Sequence, residues 1–281
     1  MKKSLKDSIA KLKKRKSLLI LGHRGCRKSD VPENTLAAFQ KAFEVGSDGI
    51  EIDVESTSDH KLVVVNRWFL KQNLDFFPWE CDLNYIQSQG KQKGILIPTF
   101  DEVCKLIKEK PNSIFNVEIK SSDIGLCRTA KEATNSIYSF GIENQVILSS
   151  FDINTLLTVK FYHPSLETAY LFRKEDRVPN IEDKKTFKYK ITGLINRSGI
   201  KALIAATNRI HPEISLIKTE KKLFWQLNPL LAKKNINTWT VNGNKDFEKA
   251  INNGIDIIIT DNPKTMVKYR DKLFKKTLTF K

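Results

Sequence analysis

The chain has 281 residues, 40% of them hydrophobic and 28% charged, with a net charge of +16. That balance excludes a disordered chain, and no apolar run approaches the roughly 20 residues that span a bilayer. The basic excess favours encounters with anions (phosphate esters, nucleic acid or acidic lipid), although much of it is diffuse lysine at 2–16 and 264–281, as on a solvated surface.

Residues 1–16 place Leu5, Ile9 and Leu12 at helical spacing among lysines. This predicts a short amphipathic helix, a basic extension that caps one end of the fold, with an anionic membrane surface as its alternative contact. From 17 to 281, strand-like apolar runs alternate with helical patterns. The strands are expected at 18–21, 49–54, 114–119, 146–149, 168–171, 202–205, 238–241 and 255–259. Helices are expected near 34–46, 99–110, 125–140, 152–162, 186–199, 213–234, 244–253 and 263–274. Eight such repeats predict an α/β fold, a single (β/α)8 TIM barrel, and a barrel reaches this length as one domain.

One run, 62–65, breaks the repeat. Only seven residues, 55–61, separate it from the strand ending at Val54, too few for a parallel crossover. It predicts an antiparallel hairpin turning near Ser58, Asp59 and His60, which brings Asn66 to about the level of Asp53 at the barrel mouth. Residues 67–97 hold Trp68, Phe69, Phe76, Phe77, Trp79 and Tyr85 without a clear period, and read as a small insertion over that mouth. Cys26, Cys81, Cys104 and Cys127 stand far apart, with no CxxC or cysteine–histidine spacing, so no zinc site is expected. The run 18–21 is too short for a signal-peptide core, which sets the expectation of reduced thiols in a cytoplasmic protein.

In a βα barrel the loops after the strands build the active face. The first strand runs into Gly22, His23, Arg24 and Gly25; the second carries Glu51 and Asp53, the third Glu118 and Lys120, each pair two residues apart and so on one face. Three barrel-facing carboxylates need cations, protons or a metal. Glu51, Asp53 and Glu118 form an all-oxygen set suited to one Mg2+ or Ca2+, and an ion-pair network with Arg24 and Lys120 would neutralise them as well. Trp239 has its flat face for an alcohol or choline group, or for core packing. His211 is expected in the loop after the strand at 202–205, where it would contact substrate or serve as a substitute acid or base. His60 reads as a turn residue and His163 as a surface one.

The block His23-Arg24-Gly25, followed by Pro32-Glu33-Asn34-Thr35-Leu36-Ala37-Ala38-Phe39, resembles the opening signature of the glycerophosphodiester phosphodiesterase family. Glu51-Ile52-Asp53-Val54, Ile97-Pro98-Thr99-Phe100, Val117-Glu118-Ile119-Lys120, Leu148-Ser149-Ser150-Phe151, Trp239-Thr240-Val241-Asn242 and Ile259-Thr260-Asp261 resemble its later blocks, in order. The resemblance implies a divalent cation on Glu51, Asp53 and Glu118, and a phosphate held by that cation, Arg24 and Lys120. It implies hydrolysis of a small glycerophosphodiester to glycerol 3-phosphate and an alcohol, with His23 and a second histidine sharing proton transfer. The second histidine belongs at the end of the hairpin strand, where this chain has Asn66, followed by Arg67. Asparagine exchanges no proton near neutral pH, so either slow hydrolysis or a non-catalytic phosphodiester-binding barrel follows. No recognition motif for nucleic acid is present, and no specific nucleic-acid partner is expected.

Overall fold

The computed structural model describes residues 9–10, 18–120, 127–173, 200–217 and 234–278. In chain order the elements are β1 (Leu19–His23), α1 (Leu36–Glu44), β2 (Gly49–Ser56), β3 (Leu62–Val64), α2 (Arg67–Leu74), α3 (Leu83–Gln92), α4 (Phe100–Lys108) and β4 (Ile114–Ile119). They continue with α5 (Arg128–Phe140), β5 (Val146–Ser150), α6 (Ile153–Tyr162), β6 (Glu167–Phe172), α7 (Ile200–Ile204) and β7 (Arg209–Pro212). The last are β8 (Asn235–Thr238), α8 (Asn244–Asn252), β9 (Ile257–Thr260) and α9 (Pro263–Leu278). Eight parallel strands run β1-β9-β8-β7-β6-β5-β4-β2, and a β1–β2 pairing closes the ring into a TIM barrel.

Strand alternation builds two cores from one sheet. On β2, Ile50, Ile52 and Val54 point outward and pack with Phe39, Phe100 and Val117 under the helices. Their neighbours Glu51 and Asp53 therefore point inward. One side of the lumen is apolar, with Leu19, Leu21, Ile114, Ile147, Ile257 and Ile259 clustered around Ile9 from the N-terminal segment. The rest of the expected N-terminal helix lies outside the described residues, as do the helix expected at 186–199 and most of the one at 213–234, of which only a short 3-10 turn, Ile214–Leu216, is described.

The hairpin forms as expected: β3 pairs antiparallel with β2, Val54 opposite Val64 and Ser56 opposite Leu62. The insertion has more order than its sequence suggested. Helices α2 and α3 pack Leu70 and Ile86 with Val63, Val65, Ile95 and Ile97 into a satellite core of their own.

One strand assignment is corrected. Residues expected to form a strand at 202–205 end helix α7 and the turn after it: Ala202 and Ala205 face inward at helical spacing, while Ile204 is exposed. The strand is β7, whose inward side chains Arg209 and His211 are polar and disguise it. The strand expected at 238–241 likewise lies three residues earlier, at Asn235–Thr238, because the inward Asn237 reads as loop.

Candidate active site

The site begins with a strained turn. Directly after β1, Arg24 (φ 52°) and Gly25 (φ 84°) both adopt left-handed backbone. Glycine enters that region freely. A Cβ on Gly25 would also meet the Ala38 backbone at 2.7 Å, so any side chain there would displace helix α1. Arg24 has no such freedom and costs on the order of 1 kcal/mol. Its contacts offset that cost: the backbone N–H donates to Glu51 Oε2 at 3.0 Å, Nη1 donates to Glu33 Oε1 at 2.6 Å, and Nε stands 2.9 Å from Asp53 Oδ2.

Asp53 is the hub. Its Oδ2 accepts from Asn34 Nδ2 at 3.1 Å and from Asn66 Nδ2 at 3.0 Å, while Lys120 Nζ lies 3.0 Å from Oδ1. Asn34 Oδ1 accepts in return from the Asp53 backbone N–H at 3.3 Å. Thr35 takes the capping role on α1, accepting from Ala38 N, so the two neighbours in that block divide the work. Register aligns the rest. Asp53 stands opposite Glu118 across β2 and β4, and one oxygen from each of Glu51, Asp53 and Glu118 lies within 4.8 Å of the others.

The three acids do not share one protonation behaviour. Burial, then the negative charges of Asp53 and Glu118, push Glu51 well above the usual carboxylate range. Burial also opposes ionisation of Asp53, but Arg24 and Lys120 outweigh it and hold that carboxylate below its usual range. Lys120 resists the loss of hydration on burial because Asp53 and Glu118 hold its proton. Glu51 Oε1 is buried without a hydrogen-bond donor, and Asp53 Oδ1 has only the Lys120 ammonium beside it. An orphaned carboxylate oxygen flanked by two further acids fits a hard divalent cation, which would satisfy it and return Glu51 to its ionised form.

His23 faces this cluster from β1. Its Nδ1 is 2.6 Å from Asp261 Oδ1, and Asp261 Oδ2 accepts from Asn242 Nδ2 at 2.7 Å. Asp261 is pushed up by burial, yet the His23 contact leads the interactions that bring it below its usual range. The ring is thereby oriented with Nε2 inward, 3.9 Å from Glu51 Oε2. Asp261 had carried no role in the sequence reading; its place at the end of β9, in the last of the matching blocks, was the signal available.

Asn66 reaches Asp53 as the hairpin required, and its amide oxygen and one amide N–H are engaged. While Nδ2 donates to Asp53, Oδ1 accepts from the backbone N–H groups of Trp68 at 3.1 Å and Phe69 at 3.3 Å, capping α2. A cavity of about 640 Å³ opens onto His23, Glu51, Asn66, Glu118, Lys120 and Trp239. Trp239 packs edge-on against Phe151, ring centres 5.6 Å apart. His211 is not brought there. It sits on β7 itself, fully buried, with neither ring nitrogen hydrogen-bonded. Burial, then the charge of Arg209, keep it neutral far below the usual histidine range. His60 occupies the hairpin turn, and His163 stacks on Tyr138 at 4.3 Å.

The model of the glycerophosphoryl diester phosphodiesterase family matches residues 23–265, nearly the whole barrel. The chain belongs to that family. A glycerophosphodiester phosphodiesterase of Caldanaerobacter subterraneus subsp. tengcongensis is 32% identical over 264 residues, covering 89% of this chain and 96% of the relative. Another, from Bacillus altitudinis, is 28% identical over 90% of this chain and 98% of its own length. Among solved structures, a glycerophosphodiester phosphodiesterase from Parabacteroides distasonis superposes with a TM-score of 0.70 at 20% identity, covering 91% of this chain and 97% of that one. A phosphodiesterase of Oleispira antarctica, in complex with its product sn-glycerol-3-phosphate, has the same TM-score at 19% identity, over 90% of this chain and 96% of its own. At these identities the superpositions speak for the fold, and the family match speaks for the lineage.

Proposed function

We propose that this glycerophosphodiester phosphodiesterase homologue hydrolyses small glycerophosphodiesters to glycerol 3-phosphate and an alcohol, using one divalent cation, Mg2+ or Ca2+, held by Glu51, Asp53 and Glu118. The observation that carries the reading is the buried acidic trio, interleaved with Arg24 and Lys120, facing a histidine whose outer nitrogen is anchored by Asp261. When bound, the cation supplies Lewis acidity to a phosphoryl oxygen. Arg24 offers two-point contact to phosphate and Lys120 a point charge, both preorganised by carboxylates they already touch. His23, fixed through Nδ1, moves a proton at Nε2. Trp239 and Phe151 give the alcohol an apolar wall. Cys26, Cys104 and Cys127 are buried and form no disulfide among the described residues, and a cytoplasmic setting is part of the same proposal.

Asn66 sets the rate. Loss of one proton-transfer partner lowers turnover by roughly 10²–10⁴-fold, so hydrolysis is slow unless another group serves. A second reading, a barrel that binds phosphodiesters without cleaving them, draws on the same residue: Asn66 commits its oxygen and one N–H to the α2 cap and Asp53 and offers no proton-exchanging atom. Single-turnover release of glycerol 3-phosphate from a panel of glycerophosphodiesters, with and without Mg2+ or Ca2+, decides between them. Release above the metal-free control supports the hydrolase; none from any substrate leaves the binding barrel.

A further inference from the structure

Among the described residues five cationic side chains line the cavity, and four are already matched by carboxylates. Arg24 pairs with Glu33 and Asp53, and Arg27 with Glu33 at 2.5 Å and Asp261 at 3.4 Å. Arg67 grips both oxygens of Glu55, at 2.6 and 2.7 Å, and Lys120 pairs with Asp53 and Glu118. Arg173 is different. It follows directly after β6, lines the same cavity, and has no carboxylate partner among the described residues. Its guanidinium lies over the face of Phe151, 5.1 Å from the ring centre, and its Nε is buried without a hydrogen-bond acceptor. Asp152, which also lines the cavity, forms no ion pair with it among the described residues; its Oδ2 caps α6, accepting from the Thr155 backbone and hydroxyl, both at 2.8 Å.

Phe151 also fixes how near Arg173 stands to the phosphate-binding groups. Lys120 Nζ lies 5.9 Å from the same ring centre, so the two cations are no farther apart than those two cation–ring separations combined. A phosphodiester beside Lys120 has one negative charge, which the proposed divalent cation answers together with Arg24 and Lys120. We infer that Arg173 forms a second anion subsite, one that selects substrates bearing a further negative group beside the phosphodiester. The glycerol half of such a substrate is uncharged, so the second anion belongs to the other alcohol, as a carboxylate or a second phosphate. A planar guanidinium suits either by two-point contact. Its position over Phe151 works against a cationic head group such as choline, because that face is taken and the nearest charge repels.

The inference rests on the proposed glycerophosphodiester site, and its test separates the two. Paired substrates isolate the charge: glycerophosphoserine against glycerophosphoethanolamine adds only a carboxylate, and glycerophosphoinositol 4-phosphate against glycerophosphoinositol adds only a phosphate. The ratio of kcat/KM within each pair, and the ratio of Kd by calorimetry, are measured for the wild type, Arg173→Gln and Arg173→Lys with Mg2+ present. The wild type is expected to favour the anionic member of at least one pair by roughly tenfold, the worth of one charge-assisted contact. That ratio falls towards one in Arg173→Gln and is partly kept in Arg173→Lys. A preference in the serine pair identifies carboxylate as the recognised group, and one in the inositol pair identifies phosphate. Equal handling of both pairs by the wild type, or a preference that survives Arg173→Gln, overturns the inference. If nothing is cleaved, hydrolysis is what fails, and the Kd ratios still decide Arg173.

Discussion

At the scale of single residues, Asn66 and His211 behave in ways their side-chain chemistry alone does not announce. Asn66 donates to Asp53 and accepts two backbone N–H groups at the start of α2. A histidine at this position gains a proton-exchanging nitrogen but forfeits the oxygen that caps the helix. Asn66→His is therefore expected to lower unfolding free energy by about 1 kcal/mol through the lost cap while raising single-turnover release at least tenfold. Chemical denaturation and rapid-quench assays read the two effects separately; unchanged turnover would remove Asn66 from the rate. His211 carries a pH signature. Above its ordinary value of about 6.5, neither the folded nor the unfolded chain binds a proton there. Below it, the unfolded chain takes one up and the buried ring does not, so stability falls as pH falls, by up to roughly 1.4 kcal/mol per pH unit. Urea midpoints at pH 7.5 and 5.5 should therefore diverge more for the wild type than for His211→Leu. Parallel curves would show that the ring does not stay neutral in the folded state.

Among the elements, legibility followed the character of the inward face. β2 alternates apolar and acidic residues and β4 apolar residues with Asn116 and Glu118, so both strands and the shared face of their carboxylates could be read locally. β7 could not, because it turns Arg209 and His211 into the lumen, where Arg209 bonds Asn237 at 3.1 Å and lies 3.5 Å from Glu167. A polar lumen makes a strand look like a loop, and the apolar face of α7 then supplied a false strand in its place. That misplacement is also why His211 was expected in a loop at the mouth. The last helix, α9, has a structural duty with a measurable consequence. Arg270 reaches from it to Asp48 at 2.5 Å and to the Leu18 carbonyl at 3.3 Å, both partners buried beside β1. Arg270→Leu removes the buried cation opposite Asp48 and is expected to cost about 3 kcal/mol of stability. Equilibrium unfolding at pH 7 checks it, and a loss below 1 kcal/mol would mean that Asp48 is compensated from elsewhere.

For the whole molecule, ring closure places the strand ends at one rim, so the proposed cation would bind residues brought together only by the entire fold. Anything that binds the folded chain alone stabilises it, by about 2.7 kcal/mol at one hundred times Kd. Mg2+ or Ca2+ should raise Tm by several degrees in the wild type and leave Glu51→Gln/Glu118→Gln unmoved, as read by calorimetry. An equal shift in both would place cation binding away from the trio. No helix among the described residues is long and apolar enough to cross a membrane. The sequence alone determined the repeat of strand and helix, the fold-back at 62–65 and the acids that face inward, because periodicity and loop length are local quantities. Tertiary structure decided that Asp261 anchors His23 from 238 residues away, that Asn66 bridges Asp53 and the α2 cap, and that Arg173 alone among the cavity's described cations lacks a carboxylate. Those outcomes depend on which side chains the closing barrel brings within hydrogen-bond reach, and one-dimensional spacing does not encode that distance.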